Sequence, residues 1–500
     1  MDSPSLTVIR QARVTDPACD TGALIDIMVE GGRITALTGP EEISTPDARY
    51  IDAAGCLVMP GLINGHTHAH GGLGRGAVPD RVTLETFLVF SAAINGERSV
   101  ADIHLSAQLT ALELLRKGCT SCFDMALELP GPSVSGLMAV GEAYQRVGLR
   151  AVVAPMLADR TLYQAYPDMT AALPASTRTR VEQMNMPSAQ ALLTVWRETQ
   201  ASWPFDRQRV QLGIAPTIPL HCSDELLQGC GQLSKQFGIP LQTHLSESKL
   251  QAMLGREMQG ESPVARLARL GCLTPRTSVA HAVWLDDADR ALLAQHGVAA
   301  VHNPLSNLRL GSGLADVRRL LDADVNVAIG TDASNTSDGQ NLFEAMRMAA
   351  LLSRLTSADV DQWIDAETAL HMASAGGAKV LGLPDQLGQL KTGQLADLIF
   401  IDLNQTHYVP LRHLTRQFVF AESGHGLRRV MVHGQTVLLD DQVLGIDEVA
   451  VRREAERAAR RLDAACVTAR GFAQHMLPAL SAYCCQANGL PFPVQRRLTD

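Results

Sequence analysis

Cys56-Leu57-Val58-Met59-Pro60-Gly61-Leu62-Ile63-Asn64-Gly65-His66-Thr67-His68 is the stretch on which the reading of this chain turns. An apolar, strand-like run delivers two histidines two residues apart. In an extended segment such residues point the same way, so His66 and His68 can grip one cation. The arrangement recurs downstream. His244 follows Ile239-Pro240-Leu241-Gln242, with Glu247 three residues later. His281 follows Ser278-Val279-Ala280, and Asp332 comes after Val325-Asn326-Val327-Ala328-Ile329. A lone His-x-His is mostly chance, a lone His-x-x-Glu is commoner still, and a single buried histidine is usually just part of a core. Separate strand ends that deliver ligand-type side chains in order reverse those odds, because a barrel of parallel strands gathers its strand ends at one mouth.

Working outward, strands alternate with helices. Asp102 to Lys117 carries Ile103, Leu105, Leu109, Leu112 and Leu115 near helical spacing, and Gly118 ends the run before a strand from Cys119 to Met125. Further strands read at Arg150–Pro155, Val210–Ala215 and Val298–Val301, the last ending at His302. Helices read at Leu226–Phe237, Val264–Leu270, Asp287–His296 and Val317–Leu321. Counting from the His66 strand gives eight strands, which predicts an α/β fold with a closed (β/α)8 barrel over residues 59–387. Residues 155–205 are less regular and are expected to lie over the barrel mouth. Residues 1–58 read as short strands with tight turns, such as Glu30-Gly31-Gly32-Arg33, and β texture returns over 388–445. One small β-sandwich built from both chain ends is expected. From 446 to 500 a helical tail places Val451, Ala455, Ala458, Leu462 and Ala465 on one face, suited to packing on the protein's own body or on a sister subunit.

Five hundred residues are too many for one ordinary core. With 46% hydrophobic and 19% charged residues the composition is that of a globular enzyme, and a net charge of −9 gives no electrostatic reason to bind nucleic acid. No apolar stretch approaches the length of about 20 residues that a membrane helix needs. Met1-Asp2-Ser3-Pro4 has neither the basic start nor the apolar segment of a signal peptide. Ten scattered cysteines lack the density of a secreted disulfide scaffold, and Cys119-x-x-Cys122 reads as buried thiols. A reduced, cytoplasmic protein is expected.

The constellation suits hydrolysis. His66, His68 and His244 with the carboxylate of Asp332 leave room for a water, and a metal lowers the pKa of bound water from 15.7 to about 7. Asp332 can also accept a proton from that water. Glu247 is placed to carry the proton to a leaving nitrogen, and His281 to orient the attacking oxygen. Some two-metal hydrolases bridge their ions through a carbamylated Lys on an intervening strand. No Lys occurs between Lys117 and Lys235, so a single divalent metal is expected, zinc ahead of iron. His70 continues the alternation, but Gly71-Gly72 follow, and it reads equally as a substrate contact or a loop residue. The glycine-rich run through Arg75 lacks the Gly-Lys-Ser/Thr of a phosphate loop.

Larger segments carry a resemblance. Ile51-Asp52-Ala53-Ala54-Gly55 leading into the His66-Thr67-His68 run, Leu73-Gly74-Arg75-Gly76, His244-Leu245-Ser246-Glu247, Ala280-His281, His302-Asn303-Pro304-Leu305-Ser306-Asn307, Gly330-Thr331-Asp332 and Gly376-Gly377-Ala378 resemble the amidohydrolase superfamily. The likeness is closest to its mononuclear aminohydrolases, the cytosine, guanine and adenosylhomocysteine/methylthioadenosine deaminases and the triazine hydrolases. It implies metal ligands at His66, His68, His244 and Asp332, a shuttle at Glu247, His281 beside the water, and often a dimer or tetramer. The sequence departs from the pattern where relatives carry Pro-His, having Pro216-Thr217 with His221 further on, and in Ala333-Ser334-Asn335-Thr336 after Asp332. Substrate contacts are expected among His70, Arg75, Thr217, His221, His302 and Asn335.

The expected activity is a metal-dependent aminohydrolase that releases ammonia or amine from an amino-substituted nitrogen heterocycle. The nearest rival is the same machinery acting on an amide, a lactam or a triazine C–Cl or C–N substituent. A non-catalytic scaffold is the remote one, since such relatives lose metal ligands and this chain keeps them.

Overall fold

Strand pairing in the computed structural model, which describes residues 6–497 apart from 17, 43, 44 and 338, closes the barrel. Met1–Pro4 and Asp338 therefore lie outside the described residues. The first four strands are Leu62–His68, Cys119–Ala126, Arg150–Leu157 and the interrupted pair Val210–Leu212 and Ala215–Pro216. Each pairs in parallel with its neighbour. Leu241–Leu245, Thr277–His281, Ala299–His302 and Val327–Ile329 form the second parallel run. A parallel bridge between Ile214 and Leu241 joins the two runs on one side, backed by the Gln242 N–H donating to the Ile214 carbonyl at 3.1 Å. On the other side the chain turns at Gly330, and Asp332-Ala333 pair with Thr67-His68. The strands are buried on both faces, which is why they read as continuous apolar runs.

The intervening helices begin and end where local chemistry dictates. Ser99 and Asp102 form a reciprocal capping box at the start of Val100–Arg116, and Gly118 leaves that helix with a φ of +72°. Ser223 caps Asp224–Phe237, which closes on Gly238 in the left-handed region.

Strands from both chain ends form one nine-stranded sheet at the base of the barrel, where Cys56–Pro60 pairs with Leu398–Asp402. Alternation along Leu398–Asp402 serves two cores. Leu398 and Phe400 pack with Ile9, Ile27 and Val58 inside the β module, while Ile399 and Ile401 join the barrel's apolar core. Arg150, at the start of the third barrel strand, pairs with Asp397 through Nε and Nη2 at 3.0 and 2.9 Å.

The segment after the third strand folds into short helices, from Leu162–Ala165 to Ala189–Ser202. Tyr166, Met169 and Val181 pack there with Phe87 and Phe90 of helix Leu84–Asn95, Leu250 and Leu254, making a second apolar core above the mouth. The tail completes that core. Its helices, Glu448–Ala465 and Val467–Asn488, lie on the chain's own body, with Met476 and Leu480 buried in the upper core. Beyond them Phe492 reaches the Trp284 ring and Arg496 donates to the Val283 carbonyl at 2.9 Å. All ten cysteines are unpaired, and Cys119 and Cys122 are buried within the second strand. Among the described residues no helix is long and apolar enough to cross a membrane.

Candidate metal centre and active site

The strand ends converge. Nε2 of His68 lies 3.1 Å from Nε2 of His244 and 3.1 Å from Oδ1 of Asp332, and Nε2 of His66 lies 3.4 Å from the same oxygen. His281 sits beside them, its Nε2 3.5 Å from Oε2 of Glu247 and 3.9 Å from Oδ2 of Asp332. All six side chains are buried.

Each imidazole is held by its outer nitrogen. Nδ1 of His68 meets the Met125 carbonyl at 2.8 Å, and Nδ1 of His244 meets the Thr217 carbonyl at 2.6 Å. Nδ1 of His66 meets Oε1 of Gln242 at 2.7 Å, and Nδ1 of His281 meets Oδ1 of Asn307 at 2.8 Å. The Gln242 amide group is oriented in turn, because its nitrogen donates to the Gly65 carbonyl and to Ser278. A carbonyl oxygen accepts only, so every Nδ1 carries the proton and every Nε2 presents its lone pair to the centre. Asp332 is set by Ser306, which donates to Oδ2 at 2.6 Å, and by Gln340, which donates to the Asp332 carbonyl at 2.8 Å.

This arrangement fits a divalent metal. Buried Nε2 atoms of His66 and His281 and Oε1 of Glu247 have no hydrogen-bond partner among the described residues. Donor atoms of His66, His68 and Asp332, and those of His66, His244 and His281, lie within 4.8 Å of one another. Nitrogen donors with one carboxylate are a zinc-type set. The backbone is strained at the same place: Ser246, His281, Ala282 and Asp332 have φ of 45°, 72°, 50° and 60°, a region non-glycine residues seldom enter.

A model of the amidohydrolase family matches residues 57–437. The chain belongs to the amidohydrolase family.

Among curated members, the chain is 33% identical to a 5-methylthioadenosine/S-adenosylhomocysteine deaminase of Syntrophobacter fumaroxidans, covering 87% of this chain and 92% of that one. It is 31% identical to a 5'-deoxyadenosine deaminase of Methanosarcina mazei over 91% and 98%. Among solved structures, an adenosine deaminase from Xanthomonas campestris with bound zinc aligns with a TM-score of 0.80 at 25% identity, over 92% of this chain and 98% of that one. An atrazine chlorohydrolase from Arthrobacter aurescens, complexed with zinc, aligns with a TM-score of 0.81 at 26% identity over 91% and 100%. This amidohydrolase is thus a metal-dependent hydrolase of C–N bonds, with a (β/α)8 barrel and a site for one divalent metal.

In the amidohydrolase barrel the metal centre opens into a cavity of about 570 Å³. His68, His244, Glu247 and Asp332 form its floor, and Leu84, Phe87, Leu129, Met156, Tyr163 and Met186 are among its largely apolar walls. Of the expected contacts, His70, Thr217 and His221 lie on the wall. His70 belongs to a one-turn helix over Ala69–Gly74, so the strand ends at His68. Arg75 does not line the cavity: it is half exposed and paired with Glu113. His302 borders a separate small cavity behind the centre, and Asn335 is buried near Gly74 without lining the main one. Arg75 and Asn335 stand off because the chain bends beyond the strand ends at His68 and Ala333, whereas His302 is the last residue of its own strand and borders the neighbouring small cavity.

Burial, reinforced by the nearby carboxylates of Asp332 and Glu85, pushes the Glu247 carboxyl well above the usual range, which favours its protonated form. Burial would also raise Asp332, but contacts with His66 and His68 outweigh it and hold that carboxyl well below its usual value. His281 is pushed down to about 4 by burial and stays a neutral ring at pH 7. One carboxyl pushed up beside another pushed down is the separation that acid–base work requires.

Sequence reasoning had no direct hold on Gln242, on the Met125 and Thr217 carbonyls, or on Ser306 and Asn307 as orienting groups. Ser306-Asn307 lie in the segment that resembles the family, which was the one available signal.

Proposed function

We propose that this amidohydrolase is a deaminase of an amino-substituted nitrogen heterocycle bearing an apolar substituent. The observation that carries the reading is the place of Glu247, buried at the floor of an apolar cavity and facing Asp332 and His281 across the donor set. His66, His68, His244 and Asp332 would hold the metal, and zinc bound there supplies a water of lowered pKa, about 7. The chain's own groups do the rest. Asp332 takes up the proton that the adding water loses. His281, a neutral ring fixed by Asn307, orients the adding oxygen. Glu247 delivers a proton to the departing nitrogen, so that ammonia or amine leaves as a neutral molecule. The apolar walls hold the heterocycle and its substituent, and the relatives that act on methylthioadenosine and deoxyadenosine make aminopurine nucleosides the first class to test. His70, Thr217 and His221 are the polar contacts on that wall.

A panel of aminopurines, aminopyrimidines, pterins and aminotriazines, assayed for ammonia release with and without a chelator, tests this reading. Glu247→Gln should retain its metal and lose about 10²–10⁴-fold in kcat. Retained turnover in that variant refutes the shuttle role. Chloride or a carboxylic acid as product would transfer the site to the triazine or amide chemistry, and a purified protein without metal would point to a scaffold. The proposal extends to a cytoplasmic location, in keeping with ten unpaired cysteines, and to a homodimer or tetramer, which light scattering checks. Units at 1–58, 59–387, 388–445 and 446–500 are likewise proposed, with limited proteolysis as their test.

A further inference from the structure

Glu247 is poorly anchored by its own side chain. Oε1 has no hydrogen-bond partner among the described residues, and Oε2 touches only His281, at 3.5 Å. Its position therefore depends on the turn that carries it, where Ser246 has a φ of 45°. That turn is held from outside the barrel. The Glu247 N–H donates to Oε1 of Gln251 at 2.9 Å, and the Gln251 N–H donates to Oγ of Ser248 at 3.2 Å. Ser248 Oγ in turn donates to Oε1 of Glu85 at 2.5 Å. Glu85 is 2% exposed, in the first turn of helix Leu84–Asn95, and does not line the substrate cavity. Its other oxygen lies 3.8 Å from Sγ of Cys484 on the tail helix, which donates to it. The same tail accepts from Lys249, through the Asn488 carbonyl at 2.9 Å and the Leu490 carbonyl.

A carboxyl buried without a cation is costly, and an apolar residue would fill this place more stably. Its place beside the turn, bonded to Ser248, points to a role that packing does not supply. We infer that Glu85 is a positioning residue for Glu247, acting through Ser248 and backed by Cys484 of the tail. It fixes the turn so that the unanchored carboxyl of Glu247 stays within reach of the reacting nitrogen. This inference rests on the reading of Glu247 as the proton carrier.

The test uses the metal-loaded, full-length enzyme. Glu85→Ala and Ser248→Ala should each lower kcat about 10–100-fold, with KM and metal content within about threefold of wild type. Glu85→Gln, whose amide oxygen still accepts from Ser248, should restore kcat to within about fivefold. In a Glu247→Gln background, Glu85→Ala should add no further loss, because residues that act as a unit are non-additive. An equal loss in both backgrounds, or an unchanged kcat in Ser248→Ala and Glu85→Ala, overturns the inference. Hydrogen exchange followed by mass spectrometry gives a readout that needs no substrate. Exchange of the segment 246–251 should accelerate in Glu85→Ala and Ser248→Ala while the barrel strands keep their protection, and unchanged exchange there overturns the inference. Wild-type enzyme that releases no ammonia from any compound of the panel would count against the proposed function, whereas an active enzyme insensitive to Glu85→Ala would count against this inference alone.

Discussion

The two ends of the barrel spend their buried polar groups in opposite ways. At the base, Arg150 and Asp397 meet in a two-bond pair, and Oδ1 of Asp397 also accepts from the His433 N–H at 2.8 Å. Among the described residues Nη1 of Arg150 and Nδ1 of His433 are left without a partner. At the mouth, His66, His68, His244 and His281 use Nδ1 for anchoring and leave Nε2 facing a common point, next to two carboxyls shifted in opposite directions. The base pairs its buried charges with each other and joins the β module to the barrel. The mouth is satisfied only with a metal and a substrate. One set of strands thus separates stability from chemistry along its own length, as parallel barrels do.

The largest expected effect lies at the mouth. Chelation, or Asp332→Ala, should abolish metal binding and lower turnover at least about 10³-fold, several kcal/mol of barrier. Turnover that survives chelation would break the comparison at its stronger end. Next comes the base. Arg150→Ala leaves Asp397 buried without its partner and should cost about 3–5 kcal/mol in urea unfolding, with KM unchanged in the folded fraction. An unaltered urea midpoint with lost kcat would invert the assignment of roles. A third change sharpens the mouth. Gln242→Leu frees the His66 ring and should weaken metal affinity about 10–100-fold in competition with a chelator.

The smallest effect concerns Glu422, on the base side. Burial would raise its carboxyl, but His407 and the N–H groups of Gly426, Ser423 and Gly424 outweigh this and lower it. A carboxyl lowered by folding stabilises above its unfolded pKa of about 4.3, and that contribution is lost as pH falls through the lower folded value. Glu422→Gln should therefore cost about 1 kcal/mol at neutral pH and flatten the acid decline of the melting temperature. Metal-free protein is the sample to use, so that acid release of the metal does not enter. A variant as stable as wild type at pH 7 would remove Glu422 from the base's account.

Much of the mouth was legible in the sequence. His66 and His68 show as a pair two apart at a strand end, and His244, His281 and Asp332 repeat the placement, because strand periodicity is a local property. Arg75, His302 and Asn335 looked similar in the sequence yet stand off the cavity: Arg75 and Asn335 lie beyond their strand ends, where no local pattern records the direction of the chain, and His302 ends its own strand beside a different cavity. Gln242 sat in plain view in the fifth strand, but a glutamine there reads as a surface residue until the barrel closes over it.

By itself the sequence determined that ligand-type side chains end successive parallel strands, and hence that a barrel would bring them together around a cation. Only the tertiary structure decided which nitrogen of each ring faces that cation, which carboxyl is pushed up and which down, and what holds the turn of Glu247 in place. Those properties depend on burial and on partners far along the chain, such as Gln242, 176 residues from His66. They depend as well on the carbonyls of Met125 and Thr217, and a backbone carbonyl is alike in every residue, so it leaves no mark in a sequence.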